Sequence, residues 1–278
     1  MKIFKYFTLA VAAIALVACG DDEPSSTFVR EFNMIYPQLP AGHKLISKVE
    51  RIQENGAISE AVVDYDSNNH PEKITATYRD KSGDVYNKEV IHFDYKNGAI
   101  VCDKKIQPVT YSFEVNNQGA ITKLTNVSSG RTASALTYNY DGKLEVAQTI
   151  TPSSTDVTRS YWEGDNLKYW TLSAINKTDS VVYDYTNAIP NKGGIDVTSN
   201  NPFTFTILVC EIMRNAGFYG ATSSQLPSIV LKDGTENPET HTTVLKSYSI
   251  SYVLDNDGYV TSYTTTESPK CTVKYTYR

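Results

Sequence analysis

The sequence predicts an all-β protein, a long antiparallel meander curled into an open or half barrel, with one short inserted α-helix. Three observations carry this expectation. Tyrosine is abundant at 20 residues, beside plentiful Thr, Ser, Asn and Val; strands favour β-branched and aromatic residues, and turns favour Asn, Asp, Ser and Gly. A short unit of alternating apolar and polar residues recurs along the chain. Polar turns, several carrying Asn-Gly or Asp-Gly, separate its copies.

The unit is plainest in Ala61-Val62-Val63-Asp64-Tyr65, Ile91-His92-Phe93-Asp94-Tyr95, Leu136-Thr137-Tyr138-Asn139-Tyr140, Val181-Val182-Tyr183-Asp184-Tyr185 and Val273-Lys274-Tyr275-Thr276-Tyr277. Looser copies start at Tyr111 and Ile250. A period of two puts the apolar set on one face of a half-buried strand. Lys96-Asn97-Gly98, Asn116-Asn117-Gln118-Gly119, Asp141-Gly142 and Asp255-Asn256-Asp257-Gly258 follow such units. Asn-Gly and Asp-Gly between alternating runs signal hairpins, because the tight turn needs positive φ. Ile74–Tyr78 and Leu144–Val146 supply return strands, so hairpin follows hairpin.

One segment breaks the rhythm. Asn201 is placed to cap, and Pro202 to open, a helix near 202–217 covering Phe203, Ile207, Leu208, Ile212 and Met213 and closing at Gly217 or Gly220. Residues 221–243, with Pro227 and Pro238, read as an irregular loop before strands resume at Val244. A meander has two edges and an apolar face to hide. A mostly apolar helix is a natural plug for a curled sheet.

The N-terminus reads as an address. Lys2 and Lys5 precede an almost continuously apolar stretch to Val17, the layout of a secretory signal. A bilayer span needs about 20 apolar residues, and this run is shorter. Leu16-Val17-Ala18-Cys19-Gly20 resembles a bacterial lipobox, in which the cysteine is diacylated before cleavage. Two or three acyl chains anchor stably where one would not. The expected organisation is a signal peptide over 1–18, a lipidated N-terminus and flexible tether over 19–43, and a single β domain over 44–278. Asp21-Asp22-Glu23 read either as a solvated acidic tether or, resembling the surface-export signals of Bacteroides-type lipoproteins, as a sign of a lipid anchor in the outer membrane on the cell-surface side, with the periplasmic face as the alternative.

The lipobox, the Tyr-rich hairpin repeats and the Asn201-Pro202 helix followed by Leu226-Pro227 together resemble a family of Bacteroidetes outer-membrane lipoproteins of unknown function with a porin-like fold. The resemblance spans roughly Lys44 to Arg278 and implies no catalytic residue. Membrane-spanning strands turn apolar residues toward lipid. Here the alternate faces carry Asp64, Asp66, His92, Asp94, Lys96, Asn139 and Lys274, so a water-soluble sheet is expected. Asp179-Ser180-Val181 also resembles the tripeptide at which exported proteins of that bacterial group receive O-glycans, which makes Ser180 a candidate modification site.

The precursor's formal charge is -5. No strand face gathers Lys and Arg, so a nucleic-acid partner is not expected. Cys102, Cys210 and Cys271 allow at most one intramolecular disulfide, and burial as small hydrophobes explains them equally well. His43, His70, His92 and His241 are scattered singly, whereas metal sites need convergent ligands. No His-Glu-x-x-His run, Gly-x-Ser-x-Gly elbow, phosphate loop or Cys-x-x-Cys pair occurs, so no catalytic residue, metal or cofactor is assigned. Asp255–Gly258 starts like a calcium loop but lacks the later ligands and fits a hairpin turn.

The aromatic ladder reads first as cross-strand core packing and second as a platform for a glycan or amphipathic ligand. Trp162 and Trp170 are the candidates for ligand stacking, one of them expected to face away from the core. The function expected is a non-enzymatic surface or envelope module binding a glycan, lipid or envelope protein. A structural or assembly accessory of an outer-membrane complex is the alternative, and a glycan hydrolase with an unrecognised carboxylate site the third.

Overall fold

The structure is a computed structural model that describes residues 34–103, 108–174, 177–197, 205–237 and 242–278. The expected signal peptide, Cys19, the acidic residues behind it, Asn201, Pro202, Phe203 and His241 lie outside the described residues.

The alternating units form strands as their period requires. The first half of the chain supplies β1 (Ile46–Gln53), β2 (Ile58–Tyr65), β3 (Pro71–Arg79), β4 (Val85–Asp94), β5 (Ala99–Asp103), β6 (Val109–Val115), β7 (Ile121–Asn126) and β8 (Thr132–Tyr138). The meander continues through β9 (Leu144–Ile150), β10 (Thr155–Glu163), β11 (Asn166–Ala174) and β12 (Lys177–Asp184). An excursion follows, containing β13 (Ile189–Pro190), helix α1 (Ile207–Asn215) and β14 (Gln225–Leu226). The last strands are β15 (Ile229–Asn237), β16 (Thr242–Leu254), β17 (Val260–Thr265) and β18 (Cys271–Tyr277).

The sheet is not the open or half barrel that the sequence suggested. It is a closed antiparallel barrel of sixteen strands, with β13 and β14 forming a separate hairpin. The closing seam joins the first strand to the last, with Val49 opposite Tyr275 and Gln53 opposite Cys271. Pairing the two terminal strands removes both exposed edges at once. The supposed loop after Ala221 also contains a wall strand, β15, which pairs with β16 from Ile229↔Ser249 to Asn237↔Thr242. The helix starts later than expected, with Thr206 as its N-cap.

The alternation has one sense around the barrel. Ile46, Val49, Ala61, Val63, Ile74, Ala76, Ile91, Ile100, Phe113, Leu124, Val181, Val273 and Tyr275 are buried and turn inward. The outer phase carries ion pairs, including Lys48–Glu60 at 3.0 Å, Lys123–Glu114 at 3.0 Å and Lys73–Asp64 at 3.7 Å. A lipid-embedded barrel has the opposite polarity, apolar outside and polar within.

Strand-end aromatics finish one end of the barrel. Tyr65 Oη donates to Ile46 O at 2.8 Å, Tyr95 to Pro71 O at 2.6 Å, and Tyr138 to Ile121 O at 2.8 Å. Trp162 Nε1 donates to Leu144 O at 2.9 Å, Tyr185 to Leu167 O at 2.9 Å, Tyr252 to Pro227 O at 2.7 Å, and Tyr277 to Val260 O at 2.9 Å. Each ties the end of one strand to the beginning of its hairpin partner. The β5–β6 hairpin departs from the pattern, with Val115 in the aromatic position. The terminal Tyr of four of the sequence units, at Tyr65, Tyr95, Tyr185 and Tyr277, is therefore a lock on the barrel end; in Leu136–Tyr140 the lock is Tyr138, and Tyr140 is exposed.

The turns at that end share a second device. Oδ1 of Asp66, Asn116, Asn139 and Asp255 each accepts two backbone N–H groups, two and four residues on. Asx side chains stabilise tight turns this way. Lys44 Nζ meets Asp255 at 3.0 Å and Asp257 at 2.6 Å, so a lysine neutralises the calcium-like sequence.

The excursion and the N-terminal strap close this end. Phe218 stacks with Phe93 and Tyr95 at centroid distances of 5.9 and 6.3 Å, and its carbonyl accepts from Ile121 N at 2.9 Å. Tyr36 stacks on His70 at 3.6 Å. A Cβ on Gly119 would overlap the backbone of Tyr36 and Pro37, and one on Gly217 would lie 2.7 Å from Pro37 Cβ. Asn215 is the hub. Its Oδ1 accepts from Ile46 N at 2.8 Å, its Nδ2 donates to Gly193 O at 2.6 Å, and its amide meets His43 Nε2.

Helix α1 lies inside the barrel and packs on β1, β2 and β3. Its C-terminus ends on Gly217 at φ 84, with Phe218 N donating to Met213 O at 3.0 Å and Gly217 N to Arg214 O at 2.9 Å. This is the helix stop in which a left-handed residue satisfies the last carbonyls. At the other terminus Thr206 makes no side-chain cap. Glu89, buried on β4, receives Thr206 N at 3.3 Å instead, so a carboxylate on the barrel wall meets the positive helix end.

Candidate functional site

The helix fills one side of the interior and leaves a cavity of about 310 Å³ on the other. Its wall runs over seven neighbouring strands: Arg51 and Gln53 on β1, Cys271 and Val273 on β18, Tyr263 on β17, Ile250 on β16, Val230 and Lys232 on β15, Val181 on β12 and Trp170 on β11. Leu208, Glu211 and Arg214 of α1 form the back. This volume is at the lower end of the ~300–1,000 Å³ usual for small-ligand sites. Gln53, Lys232, Thr265 and Glu267 place the mouth at the end opposite the aromatic locks.

The wall parts at that end. Strand β12 meets β15 only at Val182↔Leu231, Tyr183↔Val230 and Asp184↔Ile229 among the described residues. Beyond Val182 toward the mouth, Asp179 and Val181 line one side of the parting and Val230 and Lys232 the other. Lys232 is held by Glu267 at 2.6 Å and lies 5.7 Å from the Tyr248 ring.

The interior polar groups are few and mostly paired. Arg214 and Asp196 form an ion pair at 2.9 Å with side chains 10% and 19% exposed. Tyr275 donates to Glu211 Oε1. Burial pushes the Glu211 carboxyl up to about 7, against the pull of the Tyr275 hydroxyl and of Arg214. Burial also raises Tyr263 and Tyr275 well above the phenolic range. Arg51 Nε donates to Cys271 Sγ at 3.1 Å. Trp170 Nε1 donates to Tyr183 Oη at 2.8 Å.

Both candidate stacking residues turn into the barrel, contrary to the expectation that one faces outward. Trp170 is 9% exposed and borders the main cavity. Trp162 borders a smaller space of about 50 Å³ near the closed end, beside Tyr183 and Tyr185. The structure does not bring the two indoles into one pocket. Ser180 lies on β12 opposite Thr171 of β11, at the parted wall. Cys102, Cys210 and Cys271 are buried, and no disulfide joins them. His70 sits in its turn 3.1 Å from Asp66, and His92 is on the outer face 3.7 Å from Asp103. Among the described residues no group of three or more His, Cys, Asp or Glu is placed to hold a metal ion.

Sequence reasoning missed Arg51, Glu211, Arg214, Tyr263 and Asp196. The available signal was in the helix, where Glu211 and Arg214 interrupt an otherwise apolar run. A charged residue facing into a plug announces a polar interior site. Arg51 gave no such signal, because Lys-Val-Glu-Arg-Ile reads as an ordinary exposed strand.

The fold is that of a porin-like protein from Bacteroides uniformis, whose crystal structure superimposes with a TM-score of 0.63 at 18% identity, covering 88% of this chain and 100% of that one. A porin-like protein from Bacteroides vulgatus matches at 13% identity and a TM-score of 0.48, covering 84% and 99%. No protein-family model matches the chain. No curated protein sequence matches it either.

Proposed function

We propose that the protein is a non-enzymatic envelope lipoprotein that binds a small ligand inside its barrel. The observation that carries this reading is the cavity of about 310 Å³ left between helix α1 and seven wall strands, with Gln53, Lys232, Thr265 and Glu267 at its mouth. Its lining suits binding better than turnover. Of the carboxyls lining the cavity, Asp196 is engaged by Arg214, Glu211 by Tyr275 and Glu267 by Lys232, rather than poised across a shared space. The polar outer face supports a barrel standing in water, held to the membrane through acylated Cys19 instead of by its strands.

Residues 34–43 lie on the closed end, where Tyr36 stacks on His70 and Tyr259 Oη donates to Gly42 O at 2.7 Å.

Native mass spectrometry of the gently extracted full chain tests the reading. A stoichiometric small molecule is expected on the wild type, released on denaturation and absent from Val230→Trp, whose indole fills the cavity. A wild type that carries no ligand and takes up none, or a ligand retained by Val230→Trp, contradicts it. A stoichiometric membrane protein in place of the small molecule would favour the assembly-accessory reading.

A further inference from the structure

The cavity is bordered by three cations that differ in how they are neutralised. Arg214 has Asp196 at 2.9 Å, and Lys232 has Glu267 at 2.6 Å. Arg51 has neither. Its Nε donates to Cys271 Sγ at 3.1 Å, and among the described residues no carboxylate stands within ion-pair distance of its guanidinium. A thiol is a weak acceptor, and guanidinium carries five donors in a planar fork, so among the described residues the Nη groups have no protein acceptor.

Arg51 is also aimed inward. Val49 on the same strand phase is fully buried, whereas Glu50 between them reaches outward to Lys48 at 3.3 Å. Glu211 is within Coulombic reach of Arg51 but makes no ion pair with it. Its carboxyl is satisfied by the Tyr275 hydroxyl and, through burial, holds its proton to about pH 7. Among the described residues Arg51 is therefore the cation on the cavity wall with no carboxylate at ion-pair distance, while Asp179 lines the parted wall on β12. Across from Arg51 lie Val181, Val230, Ile250 and Trp170, apolar and buried.

On the reading of the cavity as a ligand site, we propose that it takes a small amphipathic monocarboxylate, the carboxylate bridged by the two Nη groups of Arg51 and the apolar body lying against Val230, Ile250 and Trp170. Fork-to-carboxylate pairing is bidentate and charge-assisted, which gives the site both its strongest contact and its selectivity. A single cation with no carboxylate at ion-pair distance matches a monoanion; a phosphate dianion would leave charge buried without a partner.

Calorimetric titration of the full chain with decanoate, decanol and decyltrimethylammonium tests this, using wild type, Arg51→Gln and Arg51→Lys. Decanoate is expected to bind the wild type about tenfold or more tighter than decanol, with the ammonium weakest. Arg51→Gln should bring decanoate down to the decanol level while leaving decanol binding unchanged, which also reports an intact fold. Arg51→Lys should recover part of the difference. Equal binding of decanoate and decanol, or full decanoate affinity in Arg51→Gln, overturns the proposal but leaves the cavity reading standing, provided that Val230→Trp abolishes both. Failure of all three probes to bind the wild type overturns the proposal, and the ligand reading is then judged by the mass-spectrometric experiment alone.

Discussion

The two ends of this barrel are built from the same hairpin repeat, yet one is locked and the other is parted. At the closed end the final aromatic of successive hairpins donates to a neighbouring backbone carbonyl, and Asx turns, Phe218 and the strap around Pro37 fill the remaining space. At the open end the wall residues near the mouth, Gln53, Lys232, Thr265 and Glu267, are polar, and β12 and β15 separate beyond Val182. A repeat fixes the barrel once per hairpin, at the end where its Tyr falls. The opposite end is free to vary, and there the cavity and its charged groups are found.

The largest effect should come from emptying the closed end. Phe218→Ala removes a fully buried ring stacked against Phe93 and Tyr95 and should cost about 3–5 kcal/mol, read as a lowered midpoint in chemical denaturation. A cost below about 1 kcal/mol would mean that the two ends do not differ in packing as described.

Next in size is a pH effect from the cavity side. The Glu211 carboxyl titrates at about 7 in the folded chain against an ordinary value of 4.5. The folded state thus keeps a proton that the unfolded state loses between those values. Its contribution is full below pH 4.5 and is lost as pH rises through 7, by roughly 3 kcal/mol. Glu211→Gln should flatten this slope in a series of denaturation curves. An unchanged slope would assign the pH dependence to other groups.

Tyr138→Phe deletes one lock while keeping its ring, and should cost about 1 kcal/mol, with Ile121 O left unpaired. Ile250→Val, at the cavity wall, should cost about 0.5 kcal/mol, the low end for this change because part of the ring of contacts is already missing. A larger loss at Ile250 than at Tyr138 would reverse the ranking of the two ends.

Much of the architecture was legible in the sequence because its signals are local. The period-two units, the hairpin turns and the apolar helix each depend on residues a few positions apart; the units and turns appear as read, and the helix appears with a start at Ile207. Closure was not legible, because the β1–β18 seam joins residues such as Val49 and Tyr275, and nothing near either encodes its partner. Strand β15 escaped notice because Pro227 and Pro238 frame it in a turn-rich stretch. The aromatic repeat was correctly seen as a ladder, but its hydroxyls belong to the barrel end rather than to a ligand. The cavity depends on seven strands and a helix meeting, so Arg51 and Glu211 gain meaning only once β1 and α1 face the same space.

Amide hydrogen exchange on the ligand-free full chain tests the difference between the ends most directly. The account predicts that Ile46 and Ile121, whose N–H groups are held by Asn215 and Phe218, exchange only through global unfolding. Val181 and Lys232, flanking the parted wall, should exchange faster by orders of magnitude through local opening. Equal protection at both pairs would contradict a barrel locked at one end and open at the other.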